Sequence, residues 1–181
     1  MSDLRTLLIA LLVLALPTWL LAGFGDWLCH RRTRIERTAG PHESALHVVL
    51  YLLIAVPTVL GLWLEIEAPL LAFMTICVLA HSAVSLWDTS YAQPRRPISP
   101  VEQMIHSHLE MLPVFALALV LALHWPAVVD PRWTLAARAQ PLPRGWIVGV
   151  PLALIPGLLM ILEELARGLR AGSHERRHAQ A

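Results

Sequence analysis

Three acid–histidine pairs recur at one spacing: Asp26/His30, Glu43/His47 and Glu102/His106. Four residues is just over one helical turn, so each pair presents both side chains on one helix face. A further segment supplies His81 and, seven residues on, Asp88, again on a shared face. Carboxylate with imidazole, and no thiolate cluster, is ligand chemistry for iron, manganese or zinc and not for an iron–sulfur centre. A single pair of this kind is usually a surface pair or a helix cap. Four sets acquire meaning only if the fold brings them together.

The segments carrying them say that it does. The chain has 181 residues, 56% hydrophobic and 15% charged, where a soluble domain carries about a quarter charged. Its mean hydropathy is +0.59. The apolar residues come in long runs, near Leu4–Phe24, Ala45–Leu64, Pro69–Trp87, Met104–Leu123 and Trp146–Leu162. Each approaches the roughly 20 residues that a hydrocarbon core of about 30 Å demands. The expected fold is therefore all-α: an integral membrane bundle of five transmembrane helices over residues 1–165, followed by a polar tail at 166–181. The first run is read as an uncleaved span, since Asp26-Trp27-Leu28 offers no small-residue cleavage pattern. Tryptophans cluster near the predicted ends, as interfacial aromatics do. Pro17, Pro57, Pro113, Pro151 and Pro156 fall inside spans, where membrane helices tolerate them as kinks. Residues 125–144, with four prolines, read as an irregular loop.

All 14 basic residues are arginine. Ten (Arg31, Arg32, Arg34, Arg37, Arg95, Arg96, Arg167, Arg170, Arg176 and Arg177) fall on one side of the predicted spans and four on the other. The positive-inside rule then expects the N-terminus outside and the C-terminus cytoplasmic, in a bacterial inner membrane. In this threading odd helices end and even helices begin on the cytoplasmic side, so all four acid–histidine sets share one depth. Ionisable groups at that level are costly unless paired, metal-bound or functional. Most nearby arginines are loop residues, so a bound cation accounts for the cluster better than salt bridges do.

The expectation is a centre of two metal ions, iron first, with zinc and manganese as alternatives. Its ligands are Asp26, His30, Glu43, His47, His81, Asp88, Glu102 and His106. His42, His108, Glu36 and Glu110 are additional candidates, either for a third metal or as groups orienting the imidazoles. Glu36 and Glu110 are the candidate catalytic bases. His81 and Asp88 lie about 10 Å apart along an ideal helix, so Asp88 is expected beyond the helix end or at a different metal. Glu163 and Glu164 are read as a solvated helix end, His124 as interfacial, and His174 and His178 as part of the polar tail. Cys29 and Cys77 are read as buried thiols, with Cys77 one turn before His81.

In this placement of ligands at the cytoplasmic ends of helices, the chain resembles the membrane-embedded di-iron oxygenases: fatty-acid desaturases, fatty-acid hydroxylases and alkane hydroxylases. Their adjacent-histidine boxes are absent; His42–His47 and His106–His108 come nearest. The resemblance implies an oxygen-dependent enzyme that hydroxylates or desaturates a lipid-like substrate, with electrons from a cytoplasmic donor. Competing readings are a dizinc hydrolase, a b-type haem electron-transfer protein with His47 facing His106, and a metal transporter. A net charge of +1 gives no electrostatic footprint for nucleic acid. No glycine-rich nucleotide loop is present.

Overall fold

The computed structural model describes residues 2–178, with side chains over 3–173; His174 and His178 lie outside the described side chains. The chain is helical throughout its apolar runs. The elements are α1 (Ser2–Thr33), a 3-10 turn (Ile35–Arg37), α2 (Pro41–Trp63), α3 (Ala68–Ala92), α4 (Pro100–Leu123), a short α5 (Trp125–Val129) and α6 (Arg144–His178). Five of these helices are long and apolar enough to cross a membrane, which makes this a multi-pass membrane architecture. Every proline expected inside a span is inside a helix.

Proline also starts helices here. Pro41, Pro69 and Pro100 occupy the first positions of α2, α3 and α4, where the missing N–H has no partner to lose. Ahead of α2, the carbonyl of the fully buried Ile35 accepts from the backbone N–H groups of Thr38, Ala39 and Gly40. Gly40 then turns the chain at φ 74°, a conformation that costs little only without a Cβ.

Adjacent contacts place the five long helices in a ring. α1 packs on α4, α4 on α3, α3 on α2, α2 on α6, and α6 closes against α1. The α1–α4, α2–α3 and α2–α6 seams are extensive; the α6–α1 and α3–α4 seams are slighter. Trp19, Tyr51, Ala55 and Leu154 fill the middle of the ring. The Trp19 and Tyr51 rings stack at 5.4 Å, and the Tyr51 hydroxyl donates to the Leu154 carbonyl. Many remaining apolar side chains point outward, among them Leu21, Leu79 and Leu86 at 70%, 66% and 71% exposure. That is the inside-out surface a lipid solvent permits.

Two expectations need correction. α6 does not stop near Leu162; it continues to His178, so the polar segment from 166 begins as helix. The 125–144 segment is not wholly irregular either. It contains α5 and is pinned over the α2–α3 turn by a Leu64–Ala137 bridge and by the Arg138 guanidinium on the Gly61 carbonyl at 2.8 Å.

Candidate metal centre

Helix ends deliver the ligand-type residues. Asp26 and His30 come from the last turns of α1, Glu43 and His47 from the first turns of α2, and Glu102 and His106 from the start of α4. The Ser99 hydroxyl accepts from the Glu102 N–H at 3.2 Å, a serine N-cap with glutamate three residues on, as in a capping box. The Glu102 carboxylate turns inward instead of back to the cap. α3 brings His81 and Asp88. Because α3 runs to Ala92, Asp88 lies inside the helix and not beyond its end.

The eight residues are brought together, seven of them buried and His106 partly so. Glu43 and Glu102 are 0% exposed, His30 1% and His81 3%. Ligand atoms of Asp26, His30, Glu102 and His106 lie within 4.8 Å of one another, as do those of His30, Glu43 and His47. The His30 and His47 rings stack nearly parallel at 4.7 Å. His106 Nε2 lies 2.9 Å from Asp26 Oδ1. His47 Nε2 lies 3.4 Å from Asp88 Oδ2.

Two residues read differently from the sequence decide the electrostatics. Glu164, expected at a solvated helix end, is 2% exposed. Its two carboxylate oxygens meet His30 Nδ1 at 2.9 Å and His47 Nδ1 at 2.7 Å. Gly168, one turn later, permits this reach: a Cβ there would sit 3.0 Å from the Pro41 backbone, so α6 lies directly against the start of α2. The topology contained the signal. α6 arrives at the same end of the bundle as Asp26 and Asp88, so an acid following its apolar run belongs at their level.

The second is Arg96. Expected in a loop, it folds into the bundle at 4% exposure. Nε donates to Glu43 at 3.1 and 3.2 Å, Nη2 donates to Glu43, and Nη1 donates to Glu102. Burial alone would pull its guanidinium down, but the hydrogen bonds and charge of Glu43, with Glu102, hold it above its ordinary range. An internal arginine thus neutralises charge that the sequence assigned to cations alone. Glu43 is the ligand candidate most affected, since both of its oxygens face Arg96.

The remaining candidates fall outside. His42 is exposed and packs on Tyr91 and Trp87, with ring centroids at 4.4 and 5.8 Å. His108 is exposed, its Nδ1 on the Met104 carbonyl at 2.8 Å. Glu36 pairs with Arg167 on the 3-10 turn. Neither Glu36 nor Glu110 lines the cavity described next, nor does Cys77.

A cavity of about 90 Å³ runs from the cluster toward the Trp19–Tyr51 stack. His30, His47, His81, Asp88 and Glu164 line one end; Leu50, Leu109 and Ile161 are among the apolar side chains of the wall. Comparison with protein-family models, curated proteins and solved structures gave no match.

The donor set fits a metal. Among the described residues, His30 Nε2, His81 Nδ1, Asp88 Oδ1 and Glu102 Oε2 are all buried without a hydrogen-bond partner, although such groups are normally satisfied. With Glu164 accepting from Nδ1–H, the Nε2 of neutral His30 is a lone pair. It faces Asp26 Oδ1 and Glu102 Oε1, each at 3.5 Å. Lone pair against carboxylate is repulsive unless a proton or a cation lies between them.

Proposed function

We propose that the chain is a membrane-embedded metalloenzyme with a dinuclear centre, iron in first place, that oxidises a hydrophobic substrate with dioxygen. The observation that carries this reading is Glu164. A carboxylate accepting from Nδ1–H of two stacked imidazoles is the arrangement by which proteins orient metal-ligating histidines. It leaves the Nε2 atoms of His30 and His47 facing Asp26, Glu102 and Asp88.

Asp26, His30, Glu102 and His106 would hold one ion; His47 and Asp88, with His81 nearby on α3, would serve the second. Glu102 has Oε2 to offer while Arg96 fixes Oε1. Glu43 anchors Arg96 and so sets the charge of the site. Iron bound there would supply the dioxygen chemistry: one O2, two electrons and two protons give a hydroxylated product and water. The chain's own part is to exclude bulk water with the apolar wall and to hold an apolar substrate beside the ligands. The exposed Arg32, Arg34 and Arg37 surround this end of the bundle and would offer an acidic electron donor a docking surface. The arginine distribution favours the cytoplasmic side of a bacterial inner membrane for this end.

The test is elemental analysis of the purified protein beside His30→Ala and His106→Ala. Iron in the parent and its loss from both variants would support the reading. Equal metal in all three would overturn the ligand assignment, and zinc without iron would move the reading to a dizinc hydrolase, with a metal-activated water as nucleophile.

A further inference from the structure

The central cavity shares three lining residues with its neighbour. Leu20, Gly157 and Met160 line it and also line a second cavity of about 400 Å³ between α1 and α6. That second space is walled only by apolar side chains and glycine, including Pro17, Leu21, Phe24 and Pro156. It occupies one of the slighter seams of the ring. Both helices carry a proline there, and a proline removes a helix hydrogen bond and bends the axis. Leu21 is 70% exposed and Phe24 44%, so the outer wall faces the lipid side of the bundle.

The inner end has the opposite character. Trp19 and His81 both line the central cavity, at 7% and 3% exposure. The Trp19 Nε1 and His81 Nδ1 atoms have no hydrogen-bond partner among the described residues. A buried indole N–H without an acceptor is costly, and one oxygen atom would relieve it. A hydrocarbon offers no such atom.

We propose that the α1–α6 seam is a lateral passage from the bilayer, and that it admits a single-chain amphiphile. The hydrocarbon tail lies between Pro17, Leu21 and Phe24 on α1 and Pro156 and Met160 on α6. The oxygen-bearing end lies in the central cavity, within reach of Trp19 and the acid–histidine cluster. From Pro17 to Asp26 the passage follows nine residues of α1, about 13 Å at helical rise. An extended acyl chain fits that length. The assignment deepens the proposed enzymatic reading and names its substrate class, but the passage itself does not require the metal.

The test uses the full chain in phosphatidylcholine vesicles, photolabelled with palmitic acid carrying a mid-chain diazirine, with adducts mapped by mass spectrometry. Adducts are expected on Leu20, Leu21, Phe24 or Met160, suppressed by excess palmitate or hexadecanol and little affected by hexadecane. Ala153→Trp, at an exposed position on the passage wall, should lose most of the labelling and keep its metal content. Leu21→Trp serves as an independent block should Ala153→Trp fold poorly. Labelling spread evenly over all lipid-facing helices, and unchanged in both variants, would overturn the passage. Equal competition by hexadecane would overturn the amphiphile. Passage labelling in protein that binds no metal would retire the enzyme and leave the passage standing; metal-loaded protein without it would do the reverse.

Discussion

Glu164 reaches His47 Nδ1 at 2.7 Å across 117 residues of chain, and through its other oxygen it also holds His30. One carboxylate therefore fixes the tautomer of two imidazoles on two helices. Glutamine in its place offers one acceptor oxygen, and its amide N–H groups oppose the second imidazole N–H. Glu164→Gln should weaken metal binding by about 10–100-fold, as loss of such orienting groups does elsewhere. Competition with a chelator measures this. Glu163→Gln is the control, because Glu163 instead meets Arg31, Trp27 and Arg167 nearer the surface. Equal affinity in the two variants would remove Glu164 from the site.

Arg96 presents the converse case. Removing it leaves Glu43 and Glu102 buried with an uncompensated charge, a change that costs about 3–5 kcal/mol when one partner of a buried pair is lost. Arg96→Met should therefore unfold at lower temperature in detergent than the parent, and added divalent metal should recover part of the difference by supplying positive charge at Glu102. A melting temperature equal to the parent's would mean that the pair contributes little.

The five helices were legible because apolar run length is dictated by bilayer thickness, and the clustering of the acid–histidine sets was legible because alternating helices return to one side. Arg96 and Glu164 were not, for a shared reason. Both follow a composition signal, loop arginine and helix-end acid, that describes solvated residues in most chains. The loop carrying Arg96 is short and bracketed by Pro94, Pro97 and Pro100, so it stays over the bundle end, where two buried glutamates draw the guanidinium inward. His42 and His108 failed in the other direction. Each lies near one of the eight clustered residues in sequence, yet a helix turns about 100° per residue. The side chain one residue before Glu43, or two after His106, therefore points away from the seam.

His42→Ala and His108→Ala should accordingly keep full metal content and the parent's thermal stability within about 0.5 kcal/mol, the range of surface substitutions remote from structural features. Loss of metal from either would mean that the cluster rearranges when loaded.

Tyr51 belongs both to the core and to the cavity wall. Tyr51→Phe keeps the stack on Trp19 but leaves the Leu154 carbonyl without its hydroxyl donor, which should cost about 1 kcal/mol. Thermal unfolding should register the loss, and elemental analysis should find the metal unchanged. Reduced metal content would show that the stack and the ligands form one unit.

X-ray absorption at the iron edge, on protein purified from iron-supplied cells, reads the metal and its ligands together. Two irons per chain are expected in a nitrogen and oxygen shell, with imidazole scattering that falls when His30 and His47 are both replaced. A chain that carries no metal above background, with His30 and His47 instead held as imidazolium ions among their carboxylates, would contradict the dinuclear centre.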